Sequence, residues 1–511
     1  MIEKLSLYLN PLSWMSAHTL VLIGCLIFLL WLYIQYKWKV LEKYGISGPP
    51  PTLKDMGNVS TFTDPKFFYN DLKLIKKYGN VVGRYTFTSP RIMIADPDIL
   101  KQVMIKEFKS FPGRQGRANK CFGKEFNRSL TQTSGESWKR QRSALGPTFS
   151  PSKMKEIFPI LQQCIESEIG NMQKIIEDKN GIIEAKIEFG NISMNCIIQA
   201  AFGTDMGEKQ HEVAAQMRKL LRNGIINSPW FLISLMWKRF EDVMDALDWS
   251  ILPAAPLKYF LNLSDMVIQM RKEHGSQRVD LLQLMLDAET SSEDAAKKAG
   301  KGLTKTEIKG QTLLFFLAGY GTTATAMQFL AYHLATHPDL QEKLRGEIND
   351  VLEQHGGKIT NDSIRDMKYL EMCMNETLRF YPIVPTNSRV SEREVTINGI
   401  TIPKGVHVDI PVYALLRSPE HWDDPDNFIP ERMDDLSQID PLIFQPFGAG
   451  PRICIGMRFA QLEIKLTFVR LLQEFRLVPS EATPSYPVDL KFSNSGTMEP
   501  CEKIVFRLEA L

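Results

Sequence analysis

Between Lys4 and Lys37 the chain carries no Asp, Glu, Lys or Arg, and Leu20–Ile34 inside that gap is almost unbroken apolar sequence. In lipid every backbone N–H and C=O must find a partner within the spanning structure, so a lone stretch of this kind can only be a helix. About 20 apolar residues cross a bilayer, and Ala17–Tyr36 supplies them if His18, Thr19 and Gln35 sit near the interfaces. Trp14, Trp31, Tyr33, Tyr36 and Trp38 suit the aromatic belts. A cleaved signal peptide is the competing reading. It lacks a basic leading region, since only Glu3 and Lys4 precede the core, and QYKWKVLEKYG offers no small-x-small cleavage site. Lys37, Lys39 and Lys43 follow the span, so the positive-inside rule leaves the remainder in the cytosol. The expected organisation is an anchor and linker over 1–47 and one large domain over 48–511.

A formal net charge of +2 across 511 residues excludes the dominant basic stripe of a nucleic-acid binder. Seven cysteines (25, 121, 164, 196, 373, 454, 501), with no C-x-x-C pair, read as reduced thiols in a cytosol-facing protein. Gly48-Pro49-Pro50-Pro51 predicts a stiff, non-helical hinge. Alternation predicts short strands at Val81–Phe87 and Arg91–Ile94. Further hairpin strands are expected over Val395–Tyr413, with turns at Asn398-Gly399 and Pro403-Lys404-Gly405. Nearly everything between is helix-patterned, so the fold class is mostly α with a minor β-sheet. Pro229–Trp237 is too short to span, and it reads either as a buried helix segment or as a loop dipping into the bilayer surface.

Phe447–Gly456 reads F-G-A-G-P-R-I-C-I-G. Gly448, Gly450 and Pro451 forbid helix and suit a tight loop whose backbone approaches something closely. Cys454 ends that loop and Gly456 opens a helix striped with Phe459, Leu462, Leu466 and Val469. A cysteine at a helix N-terminus is expected to have a lowered pKa, and backbone amides can tune a metal-bound sulfur. Arg452 is well placed for a cofactor carboxylate. The bland alternative, an inert buried cysteine, does not need such a loop.

These residues resemble the haem-binding signature of the cytochrome P-450 family, F-x-x-G-x-R-x-C-x-G, at every fixed position. The resemblance runs from the hinge to the C-terminus. Trp138-Lys139-Arg140-Gln141-Arg142 matches W-x-x-x-R, which implies that Trp138 and Arg142 contact haem propionates, and Arg389 aligns with another propionate-binding arginine. Glu376-Thr377-Leu378-Arg379 matches E-x-x-R, and Pro430-Glu431-Arg432 matches P-E-R-F with Met433 in place of Phe. Glu376 and Arg379 share a helix face three residues apart, and the resemblance adds Arg432 as the third member of a buried structural network. By the same resemblance the cofactor is haem b (iron protoporphyrin IX), held by Cys454 as axial ligand with Phe447, Gly456 and Arg452 around it. The wording looks most like the microsomal xenobiotic- and steroid-oxidising branch that also contains thromboxane synthase.

Thr304-Lys305-Thr306-Glu307 has capping-box form and begins an apolar helix pattern running to His337. Its middle reads Ala318-Gly319-Tyr320-Gly321-Thr322-Thr323. Mid-helix glycines cost about 1 kcal/mol each relative to Ala, so they imply either close packing or a widened turn. The family motif, A/G-G-x-D/E-T-T/S, maps Thr322 onto the threonine that relays protons for oxygen activation. Gly321 stands where that motif has an acid, so a proton relay through Thr322 without a carboxylate is expected to be slower or leakier.

A thiolate on haem iron favours O–O cleavage, so the resemblance implies a monooxygenase acting on a lipophilic steroid, fatty acid or xenobiotic. Its pocket would draw on the loop around Phe111–Phe126, on Phe315, Phe316 and Ala318, on Ile383–Pro385 and on Gly496–Met498. Electrons would come from NADPH-cytochrome P-450 reductase, with cytochrome b5 as a further partner. The reductase's acidic face would meet Lys139 and Arg140, which are ordinary solvated surface on the bland reading. The location implied is the endoplasmic reticulum membrane, single-pass. Gly321 also leaves room for a peroxide isomerase, although such members are expected to lose Thr322 as well. A non-enzymatic haem sensor or carrier is the rival from another class.

Overall fold

The computed structural model describes residues 17–114, 120–203, 207, 209–222, 228–236, 238–274, 280–291, 294, 302–493 and 496–511. The expected belt residue Trp14, residues 115–119 of the loop between Phe111 and Phe126, and Trp237 lie outside these. The charge-free segment forms helix α1, Ala17–Trp38, whose large apolar side chains stay exposed from Leu20 to Tyr33. Packing leaves them for another medium to cover. Trp38, expected in an aromatic belt, is instead buried in the core and donates Nε1 to Phe87 O at 2.8 Å. The Gly-Pro-Pro-Pro segment after it is docked rather than free. Gly83 donates its amide to Ser47 O at 2.8 Å, and a Cβ on Gly48 would lie 1.8 Å from Gly83 O, so only glycine permits this approach.

Strands β1 (Val81–Thr86) and β2 (Ser89–Ile94) pair antiparallel, as the alternation predicts. Two later strands, β3 (Asn387–Val390) and β4 (His407–Ile410), complete the sheet in the order β1-β2-β4-β3, with β4 parallel to β2. Asp409 on β4 ties the layers together: it accepts from Arg84 at 3.2 Å and from Arg91, while Arg84 also bonds Asp71 at 2.8 Å. The turn at Asn398-Gly399 has positive φ at both residues (48° and 80°), as a two-residue hairpin requires. The expected strand character ends at Ile410, however. Val412 and Tyr413 open a short helix, Val412–Arg417, whose first residues bury their side chains.

The helices that position the site are α2 (Gly135–Leu145), α3 (Ala185–Phe202), α4 (Lys209–Arg222), α5 (Pro229–Met236), α6 (Lys305–Thr336), α7 (Lys368–Phe380) and α8 (Met457–Glu474). At α6 Thr304 and Glu307 form the full reciprocal capping box, and Pro338 starts the next helix. This helix is apolar enough to cross a membrane, but 78% of its most apolar window is buried in protein. It is the central beam of the core. The Pro229–Trp237 stretch resolves as α5, a short helix with Trp230 half exposed beside Trp249.

A candidate active site around Cys454

The loop from Phe447 to Gly456 turns twice through left-handed backbone, with φ of 76° at Gly448 and 70° at Gly450. A Cβ on Gly450 would sit 2.2 Å from Met104 O, so the close approach read from the sequence is to protein backbone. Cys454 donates its amide to Phe447 O at 2.9 Å, which closes the loop, and Gly456 caps α8. The sulfur is accessible from a cavity that Cys454, Phe447 and Gly456 help to line, yet it lies deep among protein atoms. Burial therefore raises its thiol pKa, against the Gly456 amide, Arg114 and Arg142, which favour the thiolate. The lowered pKa expected from the helix terminus alone is thus corrected: in the protein by itself, desolvation outweighs the dipole.

The cavity holds about 1750 Å³ of empty space, its solvent-open mouth included. Its far wall is α6, which presents Phe315, Ala318 and Thr322, with Ile197 from α3 beside them. Thr322 Oγ1 donates to Ala318 O at 2.7 Å. Gly321 is buried on another face of the helix, and its carbonyl accepts from Thr325 Oγ1 at 2.8 Å. The two glycines separate cleanly. A Cβ on Gly319 would lie 2.3 Å from Ile197 Cδ1, whereas at Gly321 the nearest atom is Leu221 Cδ1 at 3.7 Å. Packing demands glycine at 319 and does not at 321.

Trp138, Arg142 and Arg452 reach the cavity together with Arg114, which sequence reading missed. Arg389 lies just behind the lining residue Asn387, donating to its Oδ1 at 3.2 Å. Arg452 lies over the Trp138 ring at 4.1 Å and donates to Pro112 O and Thr133 O at 2.7 and 2.9 Å. Among the described residues none of these four guanidiniums pairs with a carboxylate, and Nε of Arg114 and of Arg389 is buried without a partner. Burial, then repulsion from the other arginines, pushes Arg452 down to about 9, and burial with Arg114 does the same to Arg389. Guanidiniums stay charged in proteins, so these shifts express cations held together without an anion. A flat dianionic group beside the sulfur would relieve all four. The donor set fits haem.

Glu376 and Arg379 are fully buried, joined at 2.7 Å, and Arg432 reaches the same carboxylate at 3.1 Å. The remaining Arg379 donors go to the carbonyls of Leu416, Pro425 and Asn427. Several pocket expectations need correction. Phe111 lies in the core beside the sheet. Phe316 stacks on Phe202 and Phe260 in the core. Pro385 and the Gly496–Met498 segment do not reach the cavity, and Met498 is fully buried. Ile383 and Val384 do line it. Arg140 is no docking cation either: it bonds Glu307 Oε2 at 2.9 Å and a second Glu307 oxygen, with a third bond to Gly302 O at 2.6 Å, which locks α2 to the start of α6. Lys139 remains exposed.

Comparison with known proteins gives one consistent result. Residues 47–501 match the profile of the family Cytochrome P450. Cytochrome P450 3A25 of Mus musculus is 36% identical over 504 residues, covering 97% of this chain and 97% of the relative. Cytochrome P450 3A5 of Homo sapiens is 35% identical over 505 residues, with 97% of each chain covered. Lithocholate 6-beta-hydroxylase of Mesocricetus auratus is 35% identical over 504 residues, again 97% of each.

Proposed function

The chain belongs to the cytochrome P450 family and is a monooxygenase, and from that premise we propose that Cys454 carries the haem iron of an enzyme acting on lipophilic small molecules. The observation that carries this reading is the juxtaposition of one cavity-facing sulfur with four guanidiniums that pair with no carboxylate among the described residues. When bound, a haem with a thiolate ligand supplies the electron push that favours O–O cleavage.

The residues of the chain then have distinct tasks. Arg114, Arg142 and Arg452, backed by Arg389, would hold the carboxylates of a bound haem. Trp138 packs against Arg452 and keeps that guanidinium in the plane of the cavity wall. The Gly456 amide steadies the sulfur. Phe315, Ile197 and Ala318 exclude water and would orient an apolar substrate in the cavity. Thr322 Oγ1 holds a proton one helical turn above Ala318 O, where the helix faces the cavity. Its presence sets against the isomerase alternative, which needs no proton there. Glu376, Arg379 and Arg432 act at a distance by tying α7 to the 416–432 segment.

One relative's name, lithocholate 6-beta-hydroxylase, and the apolar lining together favour steroid-like substrates. We take NADPH-cytochrome P-450 reductase, with cytochrome b5 as accessory, as the electron source, the endoplasmic reticulum membrane as the site of α1, and residues 1–47 and 48–511 as anchor and catalytic domain. The test is reconstitution of the full chain with that reductase and a panel of steroids, fatty acids and xenobiotics. Oxygenated product that depends on NADPH and on a substrate-induced spin-state shift supports the reading. A haem protein that turns over none of the panel, with reductase demonstrably active, refutes it.

A further inference from the structure

Lys186 is the second residue of α3, in the first turn, where the exposed amides of a helix repel a cation. Nothing local favours a lysine there. Its side chain runs inward, and Nζ donates to the carbonyl of Gly321 at 3.1 Å and to Thr325 Oγ1, both on α6. Thr325 Oγ1 in turn donates to that same Gly321 carbonyl at 2.8 Å. Among the described residues no carboxylate pairs with Lys186; Glu499 acts on it only through space, and burial pushes its pKa down to about 8. An ammonium half withdrawn from water without an ion pair depends on its hydrogen bonds to offset the lost hydration.

The Gly321 oxygen belongs to the peptide whose nitrogen is that of Thr322. In a regular helix it serves only the Thr325 amide; here a hydroxyl and an ammonium compete for it as well. Such crowding draws a carbonyl outward and loosens the turn. Thr322 makes the same kind of back-bond three residues earlier, to Ala318 O, and lines the cavity. The crowded carbonyl thus lies at Gly321, where the family motif has a carboxylate.

We propose that Lys186 is a positioning residue for Thr322: its ammonium, fixed on the carbonyl of the Gly321–Thr322 peptide, holds that turn of the helix and with it the orientation of the Thr322 hydroxyl. This rests on the monooxygenase reading above.

The test uses full-length holoenzyme with reductase, comparing wild type with Lys186→Met, Lys186→Arg and Thr325→Val. Two quantities are read: product formed per NADPH, and backbone hydrogen–deuterium exchange over 318–326. Losing one charge-assisted bond should speed exchange in that segment about tenfold, with exchange over 327–336 and the substrate KM unchanged. Product per NADPH should fall in Lys186→Met, recover in Lys186→Arg, and fall again in Thr325→Val, which removes the intervening hydroxyl and remains informative if Lys186→Met does not fold. The proposal is overturned if exchange over 318–326 and coupling both stay at the wild-type level. It is equally overturned if exchange quickens along all of α3 and α6 while coupling is kept, for Lys186 then only packs the two helices. Wild type that forms no NADPH-dependent product refutes the monooxygenase reading instead, and the local exchange then decides the hold of Lys186 on the turn by itself.

Discussion

Gly319→Ala and Gly321→Ala should move stability in opposite directions, although both replace a glycine in the middle of one helix. At 321 the added methyl meets only Leu221 Cδ1 at 3.7 Å, an ordinary contact. The helix then gains what glycine withholds, roughly 0.5–1 kcal/mol. At 319 the methyl would meet Ile197 Cδ1 at 2.3 Å and Cγ1 at 2.6 Å. Overpacking of that kind costs roughly 1–3 kcal/mol; less the same propensity gain, the net is a loss of roughly 0.5–2 kcal/mol. Because Ile197 also lines the cavity, its displacement should narrow the pocket and shrink the spin-state response to bulky ligands. Urea unfolding followed by far-ultraviolet circular dichroism reads the sign directly, as midpoint shifts at constant slope. Equal destabilisation by both substitutions would refute the separation of roles, since 321 would then be as tightly packed as 319.

Three further outcomes follow from buried charge. Glu376→Gln keeps the shape but strands Arg379 and Arg432 around a neutral amide, and should cost about 3–5 kcal/mol, read as a lower urea midpoint and faster haem loss; a shift below roughly 1 kcal/mol would contradict the triad's role. Arg140→Glu should unfold the α2–α6 junction by opposing Glu307, whereas Lys139→Glu should leave stability alone and lower a salt-sensitive reduction rate, both measured on the same preparations. Glu463 sits fully buried with Oε2 unpaired, and burial pushes its pKa up to about 8 against the Ser193 bond. The folded chain thus keeps a proton that the unfolded chain releases near the ordinary glutamate value. Stability should therefore fall as pH rises from about 4.5 to about 8 and level off above, and Glu463→Gln should flatten that slope in urea titrations across the range.

The parts of the fold that announce themselves in the sequence are those fixed by local chemistry. Thr304 and Glu307 mark the start of α6 because a capping box is a short-range signal, and Asn398-Gly399 marks its hairpin because few other residues tolerate positive φ. Val412 and Tyr413 were legible as strand because their β-branched and aromatic character continues the run from His407, but Pro411 ends the ladder and burial against neighbouring helices takes over. The cysteine loop is legible through Gly448, Gly450 and Pro451. Arg114 is not, being a lone arginine in an aperiodic loop that only tertiary folding brings to the cavity. Arg140 misleads for a related reason: within W-K-R-Q-R it reads as one of a basic surface run, and only its partner 167 positions away shows that it points inward. Lys186 gives no sequence signal, since its partners lie on a helix more than a hundred residues later.

The most direct measurement is the reduced carbon-monoxide difference spectrum of the full chain beside that of Cys454→Ala. The wild-type spectrum should carry the signature of a thiolate-bound haem, and the alanine variant should lose that signature or the haem itself. A variant that binds haem with the wild-type spectrum would place the iron's ligand elsewhere and contradict the central claim.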